Sequence, residues 1–235
     1  MRSPRTPSAA SAASPAGPAR HRRFRTGWAA AVLGVLSAVL LALVAAGWSP
    51  LLDADRSMAR RLHAWAVTQP DAVHVNRILS DWVWDPWTMR ALAAAVCVAL
   101  WWRRERVLAV WLAGATLVGT LLQQVLKAAV GRERPSWPDP VDSANLAAFP
   151  SGHAMTATVV CGLLLWVAVE LGASRRWLRP AVAVAVVSVV GVGLTRLYLG
   201  VHWPSDVLGG WLMGACWVLC AITLYERYGA GRERS

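Results

Sequence analysis

Long apolar runs alternate with short polar segments along most of the chain. Six of these runs are long enough, or nearly so, to form membrane-spanning helices, since a bilayer core requires about 20 apolar residues in a helix. The second run is at the minimum length for a span. The pattern therefore predicts an all-α polytopic membrane protein with about six transmembrane helices in one bundle. The runs lie at about residues 28–48, 87–102, 107–130, 154–171, 180–199 and 207–225.

The composition at the two ends of the chain predicts where this bundle begins and ends. Residues 1–25 are rich in Ser, Ala, Pro and Arg and contain no acidic residue, which is typical of a disordered tail. We predict a basic tail at 1–25, a membrane domain at 26–228 and a short second tail at 229–235. The first apolar run is longer than an ordinary signal-peptide core, which favours an uncleaved helix over a cleaved leader.

The arginines predict the orientation of the helices. The formal net charge is +11, but the basic residues cluster in short segments between apolar runs, which indicates membrane topology rather than nucleic-acid binding. With six helices, four arginine-rich segments fall on one side, and the positive-inside rule makes that side cytoplasmic. We therefore expect both termini of this multi-pass protein in the cytoplasm. The four segments are the N-terminal tail, residues 103–106, residues 175–179 and the C-terminal end at 227–234.

The segment 49–86 falls on the opposite, outer side. Met58, Leu62, Trp65 and Ala66 recur at helical spacing within it. This spacing leaves two interpretations open, a helix lying flat on the membrane surface and an ordinary helix packed on the protein. His63 is expected to be a surface or structural residue, as is a second histidine of this segment, His74.

Three polar segments on the outer side carry the candidate chemistry. The first, KAAVGRERP at 127–135, contains Lys127, the only lysine among 24 basic residues, and Arg134. The others are PSGH at 150–153 and TRLYLGVHWPSD at 195–206, which contains Arg196. Cations at helix ends often only reach towards lipid headgroups. A lysine and two arginines are also what binding of a tetrahedral oxyanion requires.

The second and third segments each place a histidine beside a helix start. Ser151 is a natural N-cap for the following helix, and Gly152 permits close approach to a backbone whose free amides can bind an anion beside His153. Asp206 follows His202 by four residues, so its carboxylate can bond one imidazole nitrogen and leave the other free as a nucleophile. Taken alone, the second segment is a weak signal, because Pro-Ser-Gly before a helix is often only a cap. The third, taken alone, is better explained by Asp206 as a plain helix cap and His202 as an interfacial residue.

Together, the three segments resemble the motifs of the type 2 phosphatidic acid phosphatase superfamily, which also includes the vanadium haloperoxidases. The one departure is Thr195, where the family usually has serine, and threonine keeps the hydroxyl. The resemblance is close over about residues 127–206 and looser over the six-helix layout. The matched positions are Lys127, Arg134 and Pro135 in the first motif, Pro150, Ser151, Gly152 and His153 in the second, and Arg196, His202 and Asp206 in the third.

The resemblance implies a role for each matched position. His202 would attack phosphorus, Asp206 would orient it, and His153 would protonate the leaving oxygen and then activate water. The phosphoryl oxygens would be held by Lys127, Arg134, Arg196 and the amides of Ser151 and Gly152. The reaction implied requires no metal and no cofactor. Asp139 and Asp142 lie in a loop without partner ligands, and all four cysteines lie inside apolar runs, so no metal site is predicted.

The expected function is hydrolysis of a lipid phosphate at the extracytoplasmic face of a bacterial plasma membrane, with the bilayer as partner and no nucleic acid. Undecaprenyl diphosphate, phosphatidic acid and phosphatidylglycerophosphate all fit. A homo-oligomer stays open. Three alternatives are a vanadate-dependent haloperoxidase, a lipid phosphotransferase and a non-enzymatic phospholipid-binding or transport protein. The apolar helices argue against the first, whose members are typically soluble, and the pair His153 and His202 argues against the last. Nothing separates water from an alcohol as the acceptor.

Overall fold

The computed structural model describes residues 18–228, and within that range the chain is helical and contains no strand. The predicted tails at 1–17 and 229–235 lie outside the described residues. Helix α1 begins at Pro18, inside the segment predicted as a tail. The α-helices are α1 (Pro18–Ala45), α2 (Ser49–Ala66), α3 (Pro70–Ile78), α4 (Pro86–Trp102), α5 (Arg106–Val130), α6 (Gly152–Glu170), α7 (Arg175–Tyr198) and α8 (Pro204–Tyr228), with a π-helical turn at Leu79–Val83 after α3.

The long helices of the described chain confirm the predicted all-α membrane fold. Five of them are long and apolar enough to cross a bilayer: α1 from Thr26, α5, α6, α7 and α8. The sixth predicted span is α4, whose 17 residues reach about 26 Å, slightly less than a typical hydrocarbon core. Short connections at 103–105 and 171–174 join successive long helices at one end of the bundle.

Local sequence sets the helix ends that surround the site. Asp85 caps α4, since its carboxylate accepts hydrogen bonds from the amides of Trp87 at 2.6 Å and Thr88 at 3.3 Å. Gly131 ends α5 in the left-handed conformation at φ 59°, and its amide donates to the Lys127 carbonyl at 3.0 Å. The chain then runs without regular structure to Ser151, as Gly131 and Pro135 predict.

Helix α6 forms the centre of the bundle and packs against α4, α5, α7 and α8. Its Met155 and Leu163 lie in the main core with Leu112 of α5. Glycines on α8 allow the closest approach to α6, because a side chain at Gly210 would lie 2.8 Å from the Ser151 carbonyl oxygen. This contact holds the starts of α6 and α8 together, which is where the second and third motifs lie.

Helix α2 packs against α7 and α8 at the end of the bundle opposite the connections 103–105 and 171–174, which is called the outer end below. Its buried face is formed by Asp55, Ala59, His63 and Ala66. Met58 and Trp65, part of the predicted apolar face, are exposed instead. The helix is thus packed on the protein through a face that includes polar Asp55 and His63, while its exposed apolar residues remain compatible with contact to a membrane surface.

Candidate active site

The predicted site residues converge at the outer end of the bundle around a cavity of about 620 Å³. The ends of α5 and α7, the starts of α4, α6 and α8, and the loop 131–151 meet there. Ser151 and Asp206 lie directly behind the cavity wall, fully buried, and the Ser151 amide donates to the Asp206 carbonyl at 2.9 Å. The other six predicted residues line the cavity: Lys127, Arg134, Gly152, His153, Arg196 and His202.

His202 is held from behind by Asp206, as the four-residue spacing predicts. Its Nδ1 lies 3.3 Å from Asp206 Oδ2, which also accepts the Trp203 amide at 2.8 Å. Since the carboxylate can only accept, Nδ1 carries the proton and Nε2 holds a lone pair. Nε2 is not free, however, because Arg134 Nη1 lies 3.0 Å from it and can only donate.

Arg134 is fixed by backbone carbonyls on both sides of the site. It donates to the carbonyls of Val201 at 2.7 Å, Leu146 at 2.8 Å and Asn145 at 3.1 Å. With the His202 contact, four of the five guanidinium N–H groups are engaged, and one stays available for an anion. Before Nε2 can attack, the Arg134 N–H that donates to it must change partner and donate to an oxygen of the entering phosphoryl group.

The electrostatics of the cavity keep the His202 imidazole neutral. Burial lowers the His202 pKa well below its usual 6.5, and the charges of Arg134, Arg196 and Lys127 lower it further. Burial, with the neighbouring Arg196 charge, also lowers the pKa of Arg134 to about 10, so the guanidinium stays charged at neutral pH. The site thus combines an unprotonated nitrogen with fixed positive charge, which suits attack on a phosphoryl group.

The two remaining cations approach the cavity from helix ends. Lys127, in the last turn of α5, donates to the Ala147 carbonyl. Arg196 donates from Nη1 to Ser80 Oγ at 2.7 Å and lies 3.6 Å from Asp81 and 3.8 Å from Asp142. Its Nε is buried and has no hydrogen-bond partner among the described residues. An anion in the cavity would satisfy this donor.

The PSGH segment differs in one detail from its prediction. Ser151 stands at the N-cap position of α6, yet its side chain makes no capping bond, and its buried Oγ has no partner among the described residues. Gly152 packs closely on Gln123, because a Cβ there would lie 2.9 Å from the side-chain amide nitrogen and that side chain would have to shift. The first-turn amides of α6 therefore remain accessible from the cavity side, where an anion can bind.

Three residues behind the site were not predicted. Arg132 bonds Asp206 Oδ1 at 2.6 Å with one nitrogen and Asp55 Oδ2 at 2.7 Å with another. Ser205 accepts from Arg132 at 2.7 Å and donates its amide to Asp55 Oδ1 at 2.9 Å. Arg132 lies within the first motif segment and could have been suspected. Asp55 is 77 residues away from Arg132, in a segment with no motif, so no sequence signal connects them.

The family model that matches this chain is that of the PAP2 superfamily, over residues 108–229, a little more than half of the sequence. The chain belongs to the PAP2 superfamily. The resemblance seen in the three motifs is thereby confirmed, and the matched range contains every predicted site residue. Asp55 and Ser80 lie outside it.

Known PAP2 proteins match this chain in fold and in part of their sequence. The crystal structure of a transmembrane PAP2-type phosphatidylglycerolphosphate phosphatase from Bacillus subtilis superimposes with a TM-score of 0.76 at 23% identity, covering 86% of this chain and 98% of that one, which supports the fold. Phosphatidylglycerophosphatase B of B. subtilis is 38% identical over 95 residues, 40% of this chain and 46% of the relative.

Two further relatives extend the match. Undecaprenyl-diphosphatase of Sulfolobus acidocaldarius is 27% identical over 155 residues, 62% of this chain and 65% of its own length. Decaprenylphosphoryl-5-phosphoribose phosphatase of Mycobacterium tuberculosis is 34% identical over 152 residues, 63% of this chain and 75% of the relative. The chain thus spans less than two thirds of the first two relatives.

Proposed function

We propose that this PAP2 protein is a membrane-embedded phosphatase that hydrolyses a phosphomonoester or diphosphate of a lipid through a phosphohistidine intermediate. The observation that carries the proposal is the neutral His202 imidazole, bonded behind by Asp206 and directing Nε2 at a cavity lined by Lys127, Arg134 and Arg196. The names of the relatives supply the substrate class, since each denotes a lipid phosphatase.

In the first step the substrate phosphoryl group binds among the three cations and the first-turn amides of α6. The Arg134 N–H that donates to Nε2 of His202 then donates to a phosphoryl oxygen instead, which frees the lone pair of Nε2. Nε2 then attacks phosphorus, so that an N–P bond forms as the bond to the leaving oxygen breaks. His153, which takes up a proton once the negatively charged phosphoryl group is bound beside it, gives that proton to the leaving oxygen. Asp206 stabilises the imidazolium through Nδ1–H, as a carboxylate does in other histidine-dependent enzymes.

The second step regenerates the enzyme. The lipid alcohol or lipid phosphate leaves, and water takes its place beside His153. His153, now neutral, accepts a proton as the water oxygen attacks phosphorus and the N–P bond breaks. Inorganic phosphate is released, and His202 returns to its neutral state. Lys127, Arg134 and Arg196 stabilise the charge that develops on the phosphoryl oxygens in both steps.

The position of the cavity suits a substrate whose tail stays in the bilayer. Its wall includes exposed Trp87 of α4 and exposed Gln124 of α5, which face outwards at the outer end of the bundle. Tryptophan at a helix end is typical of the membrane interface. A phosphorylated headgroup can thus enter between these helices while the chains remain in lipid. Undecaprenyl diphosphate, phosphatidic acid and phosphatidylglycerophosphate are the substrates proposed.

Topology, assembly and the chain ends complete the proposal. The arginines of 103–106 and 175–179 lie at the end of the bundle opposite the cavity, because the connections that carry them join the other ends of the same helices. The positive-inside rule supports a cytoplasmic location for that end and for both termini, and an extracytoplasmic active site. Residues 26–228 would form the membrane domain between two cytoplasmic tails. A homo-oligomer is compatible with this arrangement, and no nucleic-acid partner is proposed.

The test compares phosphate release from detergent-solubilised undecaprenyl diphosphate by the parent protein and by His202→Ala. Release by the parent alone is expected. Full activity of His202→Ala would rule out the proposed nucleophile. If neither protein releases phosphate from this lipid, phosphatidic acid or phosphatidylglycerophosphate, phosphatase activity is excluded. Transfer to a lipid alcohol or simple lipid binding would then be the function to test.

A further inference from the structure

One arginine in the cavity has no role in the reaction just described. Arg90 lies on α4, outside the three motifs and outside the range matched by the family model. It lines the same cavity as His202 and the three phosphate-binding cations. Arg90 lies in the second turn of α4 and is half-buried.

The Arg90 guanidinium lacks a paired carboxylate. Among residues 18–228 no carboxylate oxygen lies within 4.0 Å of it, and its buried Nε has no hydrogen-bond partner. Asp85 also lines the cavity, but its side chain caps α4 by accepting from the Trp87 and Thr88 amides. Arg196 differs, because Ser80, Asp81 and Asp142 surround it. Asp85 is close enough for its charge to act on Arg90, but no hydrogen bond joins the two side chains, so the guanidinium keeps N–H groups that an anion in the cavity could accept from.

The position of Arg90 in the cavity indicates which part of a bound substrate would carry that anion. The guanidinium carbon lies 5.5 Å from the centre of the Trp87 ring, and Trp87 is 76% exposed at the outer end of α4. The reacting group lies between His202, Lys127 and Arg196, on α5, α7 and the start of α8. Arg90 and Trp87 therefore form the α4 wall of the cavity, on the side proposed for lipid entry.

Resting on the function proposed above, we infer that Arg90 binds a second phosphate on the substrate, the one that is not cleaved. In phosphatidylglycerophosphate and undecaprenyl diphosphate this phosphate lies between the scissile phosphorus and the lipid chains. Phosphatidic acid has no such group. The cavity would then select lipids with two phosphates by binding affinity, while the chemistry at His202 stays the same for all three.

The experiment compares the parent with Arg90→Gln on phosphatidylglycerophosphate and on phosphatidic acid with the same acyl chains, in neutral detergent micelles. Loss of a charge-assisted bond is expected to raise KM for phosphatidylglycerophosphate about tenfold, with kcat nearly unchanged. KM for phosphatidic acid is expected to stay within about twofold. Arg90→Lys, which keeps the charge without the planar fork, should fall between the two.

Arg106→Gln is the matched control. Arg106 also stacks on a tryptophan of α4, 5.4 Å from the Trp101 ring centre, but at the opposite end of the bundle. Removing its charge should leave both KM values unchanged. The parent protein supplies a measurement that does not depend on a variant folding. Its KM for phosphatidylglycerophosphate should be well below that for phosphatidic acid, and equal values would overturn the inference.

The remaining outcomes also decide. Equal KM increases for both substrates, or none for either, would overturn the inference while parental turnover of phosphatidic acid leaves the proposed phosphatase intact. An effect of Arg90→Gln confined to bilayers with anionic lipid, and missing in neutral micelles, would assign Arg90 to a neighbouring lipid headgroup. Weaker inhibition by inorganic phosphate, without a substrate difference, would assign it to the released product. Either result would contradict a substrate subsite.

Discussion

The two ends of the bundle use arginine in opposite ways. At the outer end, Arg132 and Arg196 are largely buried and bonded to carboxylates or hydroxyls within the protein. At the other end, Arg106 and Arg176 are exposed, and each lies against a tryptophan at 5.4 Å and 5.9 Å. Burying a guanidinium costs several kcal/mol unless partners compensate, whereas an exposed one stays hydrated. The buried arginines therefore have a defined geometry that function can use, and the exposed ones are the residues on which the proposed orientation rests.

Because its arginines are buried, the outer end requires partner residues from several segments of the chain. Residues from α2, the π-helical turn and the loop before α6 supply Asp55, Ser80 and Asp142 to the buried arginines. The exposed arginines need only water and a neighbouring ring. We expect substitutions to follow this division, with large effects on catalysis at the outer end and small ones at the other.

The largest effect after loss of the nucleophile is expected from Asp206→Asn. The amide can no longer accept from His202 Nδ1–H in the same way, so the imidazole loses the tautomer that leaves Nε2 unprotonated. By analogy with the serine-protease aspartate, kcat should fall about 10³–10⁴-fold, with weak activity remaining. Phosphate release under saturating substrate measures it. Parental kcat in a folded variant, verified by its melting temperature, would exclude Asp206 from the proposed role.

Arg196→Gln and Arg176→Gln test the two ends directly, because both remove one arginine charge from α7. Loss of a preorganised donor to the phosphoryl oxygens should lower kcat about 10²–10³-fold in Arg196→Gln. Arg176→Gln should stay within about twofold of the parent, since surface substitutions of this kind have small effects. Steady-state kinetics on one lipid substrate suffices. Comparable losses in both variants would mean that net charge on α7, and not its position, supports activity.

Sequence alone predicts the outer end only in part. The five spanning helices and the shorter α4 follow from apolar runs. The meeting of Lys127, Arg134, His153, Arg196 and His202 follows from motifs that all fall at the outer ends of helices. Short-range geometry was also predictable, because Asp206 lies one turn from His202 and Gly131 ends α5. These features depend on neighbours in the sequence and on the membrane, which both leave clear patterns.

The parts that were not predictable depend on long-range packing of polar residues. Asp55 lies on a helix whose apolar spacing singled out Met58 and Trp65, yet the face with Asp55 and His63 is the one buried against the protein. A carboxylate in a polar loop segment normally indicates solvent exposure. The buried guanidinium of Arg132 and the amide of Ser205 compensate for burying Asp55, and the sequence does not show that these residues meet.

Asp55→Asn tests whether this buried pair positions Asp206. The variant leaves Arg132 with one carboxylate instead of two, so we expect kcat to fall about tenfold while KM changes little, as for a positioning residue. Asp53→Asn is the control, since Asp53 lies on the same helix and pairs only with exposed Arg56 at 3.0 Å. In the Asp206→Asn background, Asp55→Asn should add almost nothing. Additive losses would show that Asp55 acts independently of Asp206 and would contradict a positioning role.

The smallest expected effect is a shift in pH dependence. Burial and then the Arg134 charge lower the pKa of His202, so its nucleophilic form is present above that low pKa and is lost only as the pH falls through it. Arg134→Gln removes one cause, so the His202 pKa rises towards 6.5 and the acid limb of kcat/KM should move to higher pH. Substrate ionisation is the same for both proteins, so a difference between their profiles belongs to the protein. Arg176→Gln should overlay the parent, and an overlay by Arg134→Gln would show that its charge does not act on His202.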